Sequence, residues 1–295
     1  MGAHRFGGDW TEQKLQVLSE YLARYLLALK NQPFHTVYVD AFAGTGYRTE
    51  REDDAPEGEL LFPELAKDAP VKLLEGSAVR ALRLDPPFNE YVFIEKSRAR
   101  VQDLESLRKE HPARTIVVRQ GDANDVIRDL CEGDWRRQGR RGVLFLDPYG
   151  MQVEWTTLEA VARTQAIDMW LLFPLGIGVD RLVTRSGKIP EGWSRRLDLL
   201  YGTSAWRDLF YKVERTRNLF GEEEDIREKA SREVMGQYFI DRLKTIFADV
   251  ASEPLVLSNS AGCPLYLFCF AAANPRGAPI ALKIARALIK KMKNG

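Results

Sequence analysis

The chain has 295 residues, of which 45% are hydrophobic and 29% charged, and its 43 basic and 42 acidic residues leave a formal net charge of +1. These values exclude a disordered or collagen-like chain and fit one large or two small globular domains. The near-neutral total neither indicates nor excludes a nucleic-acid partner, because a local basic face can lie within it.

Membrane and metal-dependent functions are disfavoured by the residue patterns. The sequence has no apolar run long enough to span a bilayer, no HExxH motif among its three histidines and no CxxC spacing among its three cysteines. We therefore expect no membrane association, no metal site, and reduced cysteines in a cytoplasmic protein.

An N-terminal amphipathic helix is predicted within residues 1–33, because apolar side chains recur there at three- and four-residue intervals. This stripe consists of Leu15, Leu18, Leu22, Tyr25, Leu26 and Leu29.

Five apolar segments then alternate with helical segments, and each of the five is typical of a buried strand. They are HTVYVDAF, EYVFIEKS, TIVVRQGD, GVLFLD and IDMWLLFPLG. The alternation predicts an α/β fold with a doubly wound, mostly parallel Rossmann-like sheet over residues 34–176.

The pattern changes after Gly176. Residues 177–235 predict a helical, substrate-side insertion after the fifth strand. Among its basic and aromatic residues are Arg181, Arg185, Lys188, Trp193, Arg195, Arg196, Tyr201, Trp206, Phe210 and Tyr211. Residues 236–295 predict completion of the sheet by a β-hairpin of PLVLSN and PLYLFCFAAAN and a last helix, PIALKIARALIKKMK. A preceding helix is expected over 227–247 and a loop over 47–70, so the whole chain, 1–295, is predicted to be a single domain.

Residues suited to ligand binding follow the ends of four predicted strands, and parallel sheets bind ligands at that edge. The first group is DAFAGTG, residues 40–46. Its glycines, Gly44 and Gly46, let backbone N–H groups approach a ligand closely. A dinucleotide fingerprint needs a third glycine, but residue 49 is threonine. A nicotinamide cofactor, and with it an oxidoreductase, is therefore disfavoured.

The next two strands end in carboxylates with two possible interpretations each. Glu95 could accept hydrogen bonds from both hydroxyls of a ribose, or be a solvated charge beside Lys96. Asp122, followed by Ala123, could accept from an adenine amine or cap the helix that begins near Ala123. The two roles of Asp122 are compatible with each other.

The fourth strand is followed by Asp147, Pro148 and Tyr149. Proline has no N–H and leaves a carbonyl acceptor, and the aspartate supplies a second acceptor. Two acceptors can hold an amine N–H and raise the nucleophilicity of its nitrogen, while the aromatic ring can stack the base that carries the amine. The alternative is a plain turn, because Asp, Pro and Gly commonly end strands.

These segments carry a family resemblance. DAFAGTG, FIEKS, RQGDA and FLDPYG resemble the class I S-adenosylmethionine-dependent methyltransferases over residues 36–176, most of all those acting on exocyclic amines of nucleic-acid bases. Over nearly the whole chain, DWTEQKLQVLSEYL, EGSAVRAL, PPFNEYVFIEK and AAANPRGAPIALKIARAL resemble the three-Cys-motif partner protein family. That family is bacterial and phage-linked, and its name refers to a cysteine motif in a neighbouring protein.

The resemblance implies S-adenosylmethionine as cofactor, and a nucleic acid and a three-Cys-motif protein as partners. It implies roles by motif for the residues of the strand ends. Asp40, Phe42, Gly44 and Gly46 would surround the methionine part, Glu95 would hold the ribose, and Asp122 and Ala123 the adenine. Asp147, Pro148 and Tyr149 would face the methyl acceptor, and Ser77, at a late helix start, would supply contacts otherwise given by the first helix.

Two departures from the methyltransferase pattern keep the substrate open. The tetrad is DPYG rather than DPPY, and the stretch between GTG and FIEK is unusually long. N-methylation of an RNA or DNA base is favoured by Asp147 and by the basic, aromatic segment 181–211. The alternative interpretation of that segment, which the sequence favours slightly more, is a solvated helical cover with its aromatic residues in the core. A small-molecule or protein methyltransferase would share the cofactor side, and the missing second proline suggests a non-catalytic cofactor-binding partner of a three-Cys-motif protein.

Overall fold

The computed structural model describes residues 9–44, 76–217 and 223–294. Its main sheet has eight described strands, most of them in the order β3-β2-β1-β4-β5-β10-β8, with β9 paired to β10. The strands are β1 (His35–Asp40), β2 (Glu90–Glu95), β3 (Ile116–Gln120), β4 (Arg140–Leu146), β5 (Ile167–Phe173), β8 (Asp249–Val250), β9 (Leu255–Ser258) and β10 (Pro264–Ala272). The strands β1 to β5 are mutually parallel, and β10 is antiparallel to β5, β8 and β9.

Helices cover both faces of the sheet. They are α1 (Asp9–Leu29), α2 (Ser77–Leu82), α3 (Arg98–Glu110), α4 (Ala123–Cys131), α5 (Trp155–Arg163), α6 (Asp180–Leu182), α7 (Glu191–Tyr201), α8 (Trp206–Phe210), α9 (Arg232–Lys244) and α10 (Ala278–Asn294). A π-helical turn, Leu175–Val179, joins β5 to α6. Within these described helices, none combines the length and apolarity needed to cross a bilayer.

Alternate residues of the strands enter two separate cores. Along β1, Val37 and Val39 join one buried cluster, together with side chains of α4, α5, α7 and α9. Tyr38, between them, joins the other cluster, with side chains of α1, α2, α3 and α10. Because successive side chains of a strand point to opposite faces, a sheet covered on both sides needs apolar residues at nearly every position. The doubly wound, mostly parallel fold predicted from the sequence is confirmed.

The C-terminal part completes the sheet as predicted. β9 and β10 form an antiparallel pair, and β10 is inserted between β5 and β8. The last helix, α10, packs against α1, and Lys291 of α10 contacts Glu20 of α1 at 2.9 Å. The first and last described helices, α1 and α10, therefore pack on the same face of the sheet.

The insertion after β5 is not wholly helical. Beside α6, α7 and α8 it contains an antiparallel pair, β6 (Tyr211–Arg217) with β7 (Glu223–Lys229). The helix expected over 227–247 was wrong at its start, because α9 begins at Arg232. Most residues of β7 are charged and have a propensity for helices. They pair with β6, which also contains several charged residues, and Lys212 of β6 lies opposite Glu228 of β7. Cross-strand pairing of opposite charges offsets that local preference.

Candidate active site

The carboxyl ends of β1, β2, β3 and β4 lie next to one another and form a continuous rim. Asp40, the last residue of β1, pairs with Phe93 of β2 and with Phe145 of β4. The Gly44 N–H donates to Glu95 Oε2 at 3.1 Å, and the Gly121 N–H donates to the Glu95 carbonyl at 3.1 Å. The sequence-predicted residues Asp40, Gly44, Glu95 and Asp122 are thus gathered along one edge.

Gly44 is a glycine for conformational reasons. Its φ is +60°, a left-handed value that other residues adopt at a cost, although a Cβ there would meet no described atom within 4 Å. The turn after β1 directs the Gly44 N–H toward Glu95. Gly46 and the predicted loop 47–70 lie outside the described residues.

Glu95 is buried and accepts backbone hydrogen bonds on both of its carboxylate oxygens. Oε1 accepts from the Ser97 N–H at 2.8 Å and Oε2 from the Gly44 N–H at 3.1 Å. Arg100 Nη1 lies 3.8 Å from Oε1. These contacts hold the carboxylate in one orientation, and each oxygen keeps a second lone pair with which it can accept from a ligand hydroxyl.

Asp40 is a fully buried carboxyl group of the rim. Burial raises its pKa to about 7, and the nearby charge of Asp147 adds to the rise. The Ser77 hydroxyl, the Tyr38 hydroxyl and the Phe42 N–H face the same carboxyl group and oppose the shift. Tyr38 donates to Oδ2 at 3.2 Å. Oδ1 is buried with no partner of hydrogen-bonding geometry in the described part of the chain.

Ser77 begins α2 without capping it. The N-cap of α2 is Gly76, and Ser77 is the first helical residue, with no side-chain cap hydrogen bond at this helix. The Ser77 hydroxyl faces Asp40 instead. This places α2 beside β1 and brings a polar group of the helix start to the rim.

Asp122 caps α4, as one of its two interpretations predicts. Its Oδ1 accepts from the Asn124 N–H at 2.9 Å and from Asn124 Nδ2 at 3.2 Å. Ala123 follows it and is buried. Asn124, which the sequence did not single out, also donates to the Gln152 carbonyl at 2.9 Å and accepts from the Glu154 N–H at 3.0 Å. It therefore ties the start of α4 to the segment that follows Asp147.

Asp147 forms an ion pair that the sequence did not predict. Lys14 of α1 places its Nζ 2.5 Å from Asp147 Oδ2. The lysine side chain is 1% exposed and the aspartate side chain 20% exposed. Lys14 could have been found by its spacing, since it lies four residues before Leu18 and seven before Tyr21, on the apolar stripe of α1.

The Pro148–Tyr149 turn leaves an aromatic ring in solvent. The Pro148 carbonyl accepts from the Gly150 N–H at 2.9 Å, and the Tyr149 N–H donates to Gln152 Oε1 at 3.2 Å. The Tyr149 side chain is 60% exposed, and the Arg100 guanidinium lies 5.7 Å from its ring centroid. An exposed ring held by backbone contacts offers a flat surface for another aromatic group.

The aromatic residues of the insertion serve a different purpose. Tyr201, Trp206 and Phe210 are each fully buried and belong to the core that α9 shares. They are therefore not available to stack bases, whereas Arg181, Arg185, Lys188, Arg195 and Arg196 are exposed. Two cavities, of about 400 Å³ beside α7 and about 160 Å³ beside α9, are lined by residues other than those of the rim.

The comparisons with known proteins give structural likenesses only. No protein-family model matches the chain, and no curated protein matches it. A Legionella pneumophila protein, LPL1258, is 14% identical with a TM-score of 0.41, over 81% of this chain and 93% of its own. The N-terminal domain of EvdMO1, solved with SAH bound, is 12% identical with a TM-score of 0.36, over 92% and 84%.

A further likeness is to an S-adenosylmethionine-dependent methyltransferase from Clostridium acetobutylicum. It is 10% identical with a TM-score of 0.38, over 87% of this chain and 91% of its own. Because these identities and TM-scores are low, we base the function on the residues of this chain alone.

Proposed function

We propose that this chain is an S-adenosylmethionine-dependent methyltransferase that methylates an amine nitrogen, with a nucleic-acid base as the favoured acceptor. The observation that carries the proposal is the rim itself. Backbone contacts join Gly44 to Glu95, and Asp147 lies close enough to raise the pKa of Asp40. Ligands of parallel α/β sheets bind at this edge.

The rim residues fit the parts of such a cofactor. Glu95, whose oxygens each hold one backbone N–H and keep a lone pair, would accept from the two ribose hydroxyls. Asp122 uses Oδ1 for the helix cap, so its Oδ2 would accept from the adenine amine. Asp40 Oδ1, buried and unpartnered within the described residues, would accept from the ammonium of the methionine part. A buried oxygen without a donor is costly, and a cationic ligand would offset that cost.

Asp147 and Pro148 would handle the acceptor. The bound cofactor supplies an electrophilic methyl group on sulfur. Asp147 and the Pro148 carbonyl would accept N–H hydrogen bonds from the acceptor amine and direct its lone pair toward that carbon. With the amine held by these two acceptors, the nitrogen–carbon bond would form as the carbon–sulfur bond breaks, and the nitrogen would then lose a proton to water. No strong base is needed, because the proton leaves after attack.

A nucleic-acid acceptor is supported by the surface beside the rim. Tyr149 exposes its ring next to Asp147, and base stacking on such a ring contributes about 1–3 kcal/mol. Basic residues that follow β2 or end β3 are at least partly exposed near the same edge: Lys96, Arg98, Arg100 and Arg119. Positive side chains beside an exposed aromatic ring are the combination that single-stranded nucleic acids bind.

Replacing Asp147 tests the catalytic part of this proposal. In Asp147→Ala, we expect methyl transfer from radiolabelled S-adenosylmethionine to total RNA to fall by about 100-fold, since an orienting acceptor is lost. Cofactor affinity by calorimetry should stay within about twofold. The matched control is Asp129→Ala, an exposed aspartate of α4. Transfer by Asp147→Ala at the wild-type rate would remove this residue from the mechanism.

Salt dependence tests the substrate class. If RNA is the acceptor, its affinity should fall steeply and linearly on a log–log plot as salt rises, because phosphate contacts release counterions. Filter binding between 50 and 200 mM salt measures the slope, a range over which several phosphate contacts cost about 10³-fold or more. Absence of RNA binding at low salt would instead favour a small-molecule or protein acceptor.

A second candidate function is a non-catalytic cofactor-binding partner. It is favoured by the engagement of both acceptors, since Asp147 already pairs with Lys14 and the Pro148 carbonyl with the Gly150 N–H. Calorimetric binding of S-adenosylmethionine without transfer to RNA, small amines or a co-expressed three-Cys-motif protein would support this function. Absence of binding to both the cofactor and its demethylated product would overturn both candidates.

A further inference from the structure

We propose that Lys14 of α1 is a positioning residue of the methyl-acceptor site, which holds Asp147 Oδ2 and leaves Oδ1 to receive the acceptor N–H. This inference rests on the proposed methyltransferase function. It adds α1, which precedes all strands of the sheet in the chain, to the rim formed by the strand ends. Lys14 and Asp147 are 133 residues apart along the chain.

The environment of Lys14 explains why its ammonium is directed at Asp147. The side chain is 1% exposed, so the charged group is removed from water. Its Nζ has Asp147 Oδ2 at 2.5 Å and the Trp10 ring centroid at 5.1 Å. A buried ammonium needs compensating contacts, and a carboxylate together with an aromatic face supplies two of them. The geometry therefore ties the position of the lysine to that of Asp147.

Trp10 extends the same wall. Its ring lies 5.0 Å from that of Tyr266 at 31°, so the first turn of α1 is joined to the start of β10. Asp147 follows β4 and Lys14 is one turn beyond Trp10 on α1. The first turns of α1 thus border the acceptor side of the rim and stay in place through contacts with the sheet.

The consequence for catalysis is orientation rather than proton transfer. An aspartate side chain can rotate about two bonds. Among the described residues Lys14 is the partner of Asp147 Oδ2, and this contact fixes the orientation of the carboxylate. A lysine that holds one oxygen limits the acceptor nitrogen to the other oxygen and to the Pro148 carbonyl. Small errors in such a geometry cost about 100-fold in rate.

A set of variants separates positioning from mere structural support. Lys14→Met removes the ammonium and keeps the length, Lys14→Arg keeps the charge, and Asp147→Asn removes the partner's charge. Lys30→Met is the matched control, since Lys30 is exposed just beyond the end of α1. Each variant is compared by calorimetry with S-adenosylmethionine, by transfer of radiolabelled methyl to total RNA, and by its melting temperature.

We expect Lys14→Met to bind the cofactor within about twofold of wild type and to lose transfer by about 10- to 100-fold in kcat, with Lys14→Arg restoring part of the rate. The double variant Lys14→Met with Asp147→Asn should transfer no more slowly than Asp147→Asn alone, because residues that act through each other are not additive. Its melting temperature should exceed that of Asp147→Asn, in which the buried lysine charge no longer faces a carboxylate charge.

Three outcomes would contradict the inference. Lys14→Met could transfer methyl groups at the wild-type rate, or the rate losses of the two single variants could add up in the double variant. Either result would remove Lys14 from the acceptor site while the proposed function stands. If the wild type neither binds the cofactor nor transfers methyl groups, the proposed function fails and the catalytic role of Lys14 fails with it. The melting temperatures would in that case still report the Lys14–Asp147 pair, so the two failures can be told apart.

Discussion

Two buried aspartates at opposite ends of the parallel sheet show what distinguishes the candidate site from the scaffold. Asp40 ends β1 and Asp168 lies at the start of β5. Burial raises the pKa of each carboxyl group to about 7, and each accepts a hydrogen bond from a tyrosine. Tyr38 donates to Asp40 at 3.2 Å, and Tyr21 donates to Asp168 at 2.9 Å.

Their surroundings differ in one respect that matters for function. Hydrogen-bond donors oppose the rise of the pKa at both carboxyl groups, but Asp168 also lies near the positive charge of Arg141. Asp40 instead faces a second carboxylate, Asp147, and keeps an oxygen with no hydrogen-bond partner among the described residues. A raised pKa therefore does not by itself mark a site here, whereas a buried carboxylate oxygen that lacks a hydrogen-bond partner among the described residues, at the carboxyl ends of the strands, does.

The largest effect that would test this contrast is on cofactor affinity. Glu95→Ala should weaken S-adenosylmethionine binding by about 100-fold, because two hydrogen bonds to a charged acceptor are lost. Glu95→Gln, which keeps one carbonyl oxygen, should be intermediate. Asp168→Asn, at the other end of the sheet, should bind as the wild type does. Calorimetry measures all three, and equal losses in Glu95→Ala and Asp168→Asn would show that the rim has no special role.

A smaller effect is expected from the ionisation of Asp40. Its carboxyl group is mostly neutral below pH 7 and charged above it, and a cationic cofactor prefers the charged form. The affinity for S-adenosylmethionine should therefore rise by up to about tenfold from pH 6 to pH 8. In Asp40→Asn this rise should disappear. Calorimetry at both pH values checks it, and an unchanged slope in the variant would assign the ionisation to another group.

A third effect concerns stability rather than cofactor binding and involves Asp168. Its pKa is about 7 in the folded chain and near 3.8 when unfolded, so the folded state binds more protons between these values. The stabilisation is full below about pH 4 and is lost as pH rises to about 7. Relative to Asp168→Asn, the wild-type free energy of unfolding should fall by about 3–4 kcal/mol across that range. Urea unfolding at pH 4, 6 and 8 measures it, and parallel curves would contradict the assignment.

Much of the fold could be predicted from local patterns. The segment HTVYVDAF predicted β1, observed over His35–Asp40, and EYVFIEKS predicted β2, observed over Glu90–Glu95. These strands are buried on both faces, so nearly every side chain is apolar and the pattern is unambiguous. The N-cap role of Asp122 was likewise predictable, because it depends only on the residues that follow it.

The insertion was less predictable. Its strands β6 and β7 form a separate two-stranded sheet. Charged strands carry no apolar alternation, and their pairing depends on a partner strand rather than on their own residues. For the aromatic residues nearby the sequence left two interpretations open, a substrate-side surface or the core, and residues such as Trp206 are buried in the core.

The sequence by itself determined which residues end the strands, since hydrophobic periodicity and turn residues are local properties. It thereby determined that Gly44, Glu95 and Asp147 share one edge of the sheet. Only the tertiary structure decided what those residues contact. The pairing of Lys14 with Asp147 joins residues 133 positions apart, and Asp40 Oδ1 is buried without a hydrogen-bond partner among the described residues. Such contacts depend on how helices dock on the sheet, which no short stretch of sequence encodes.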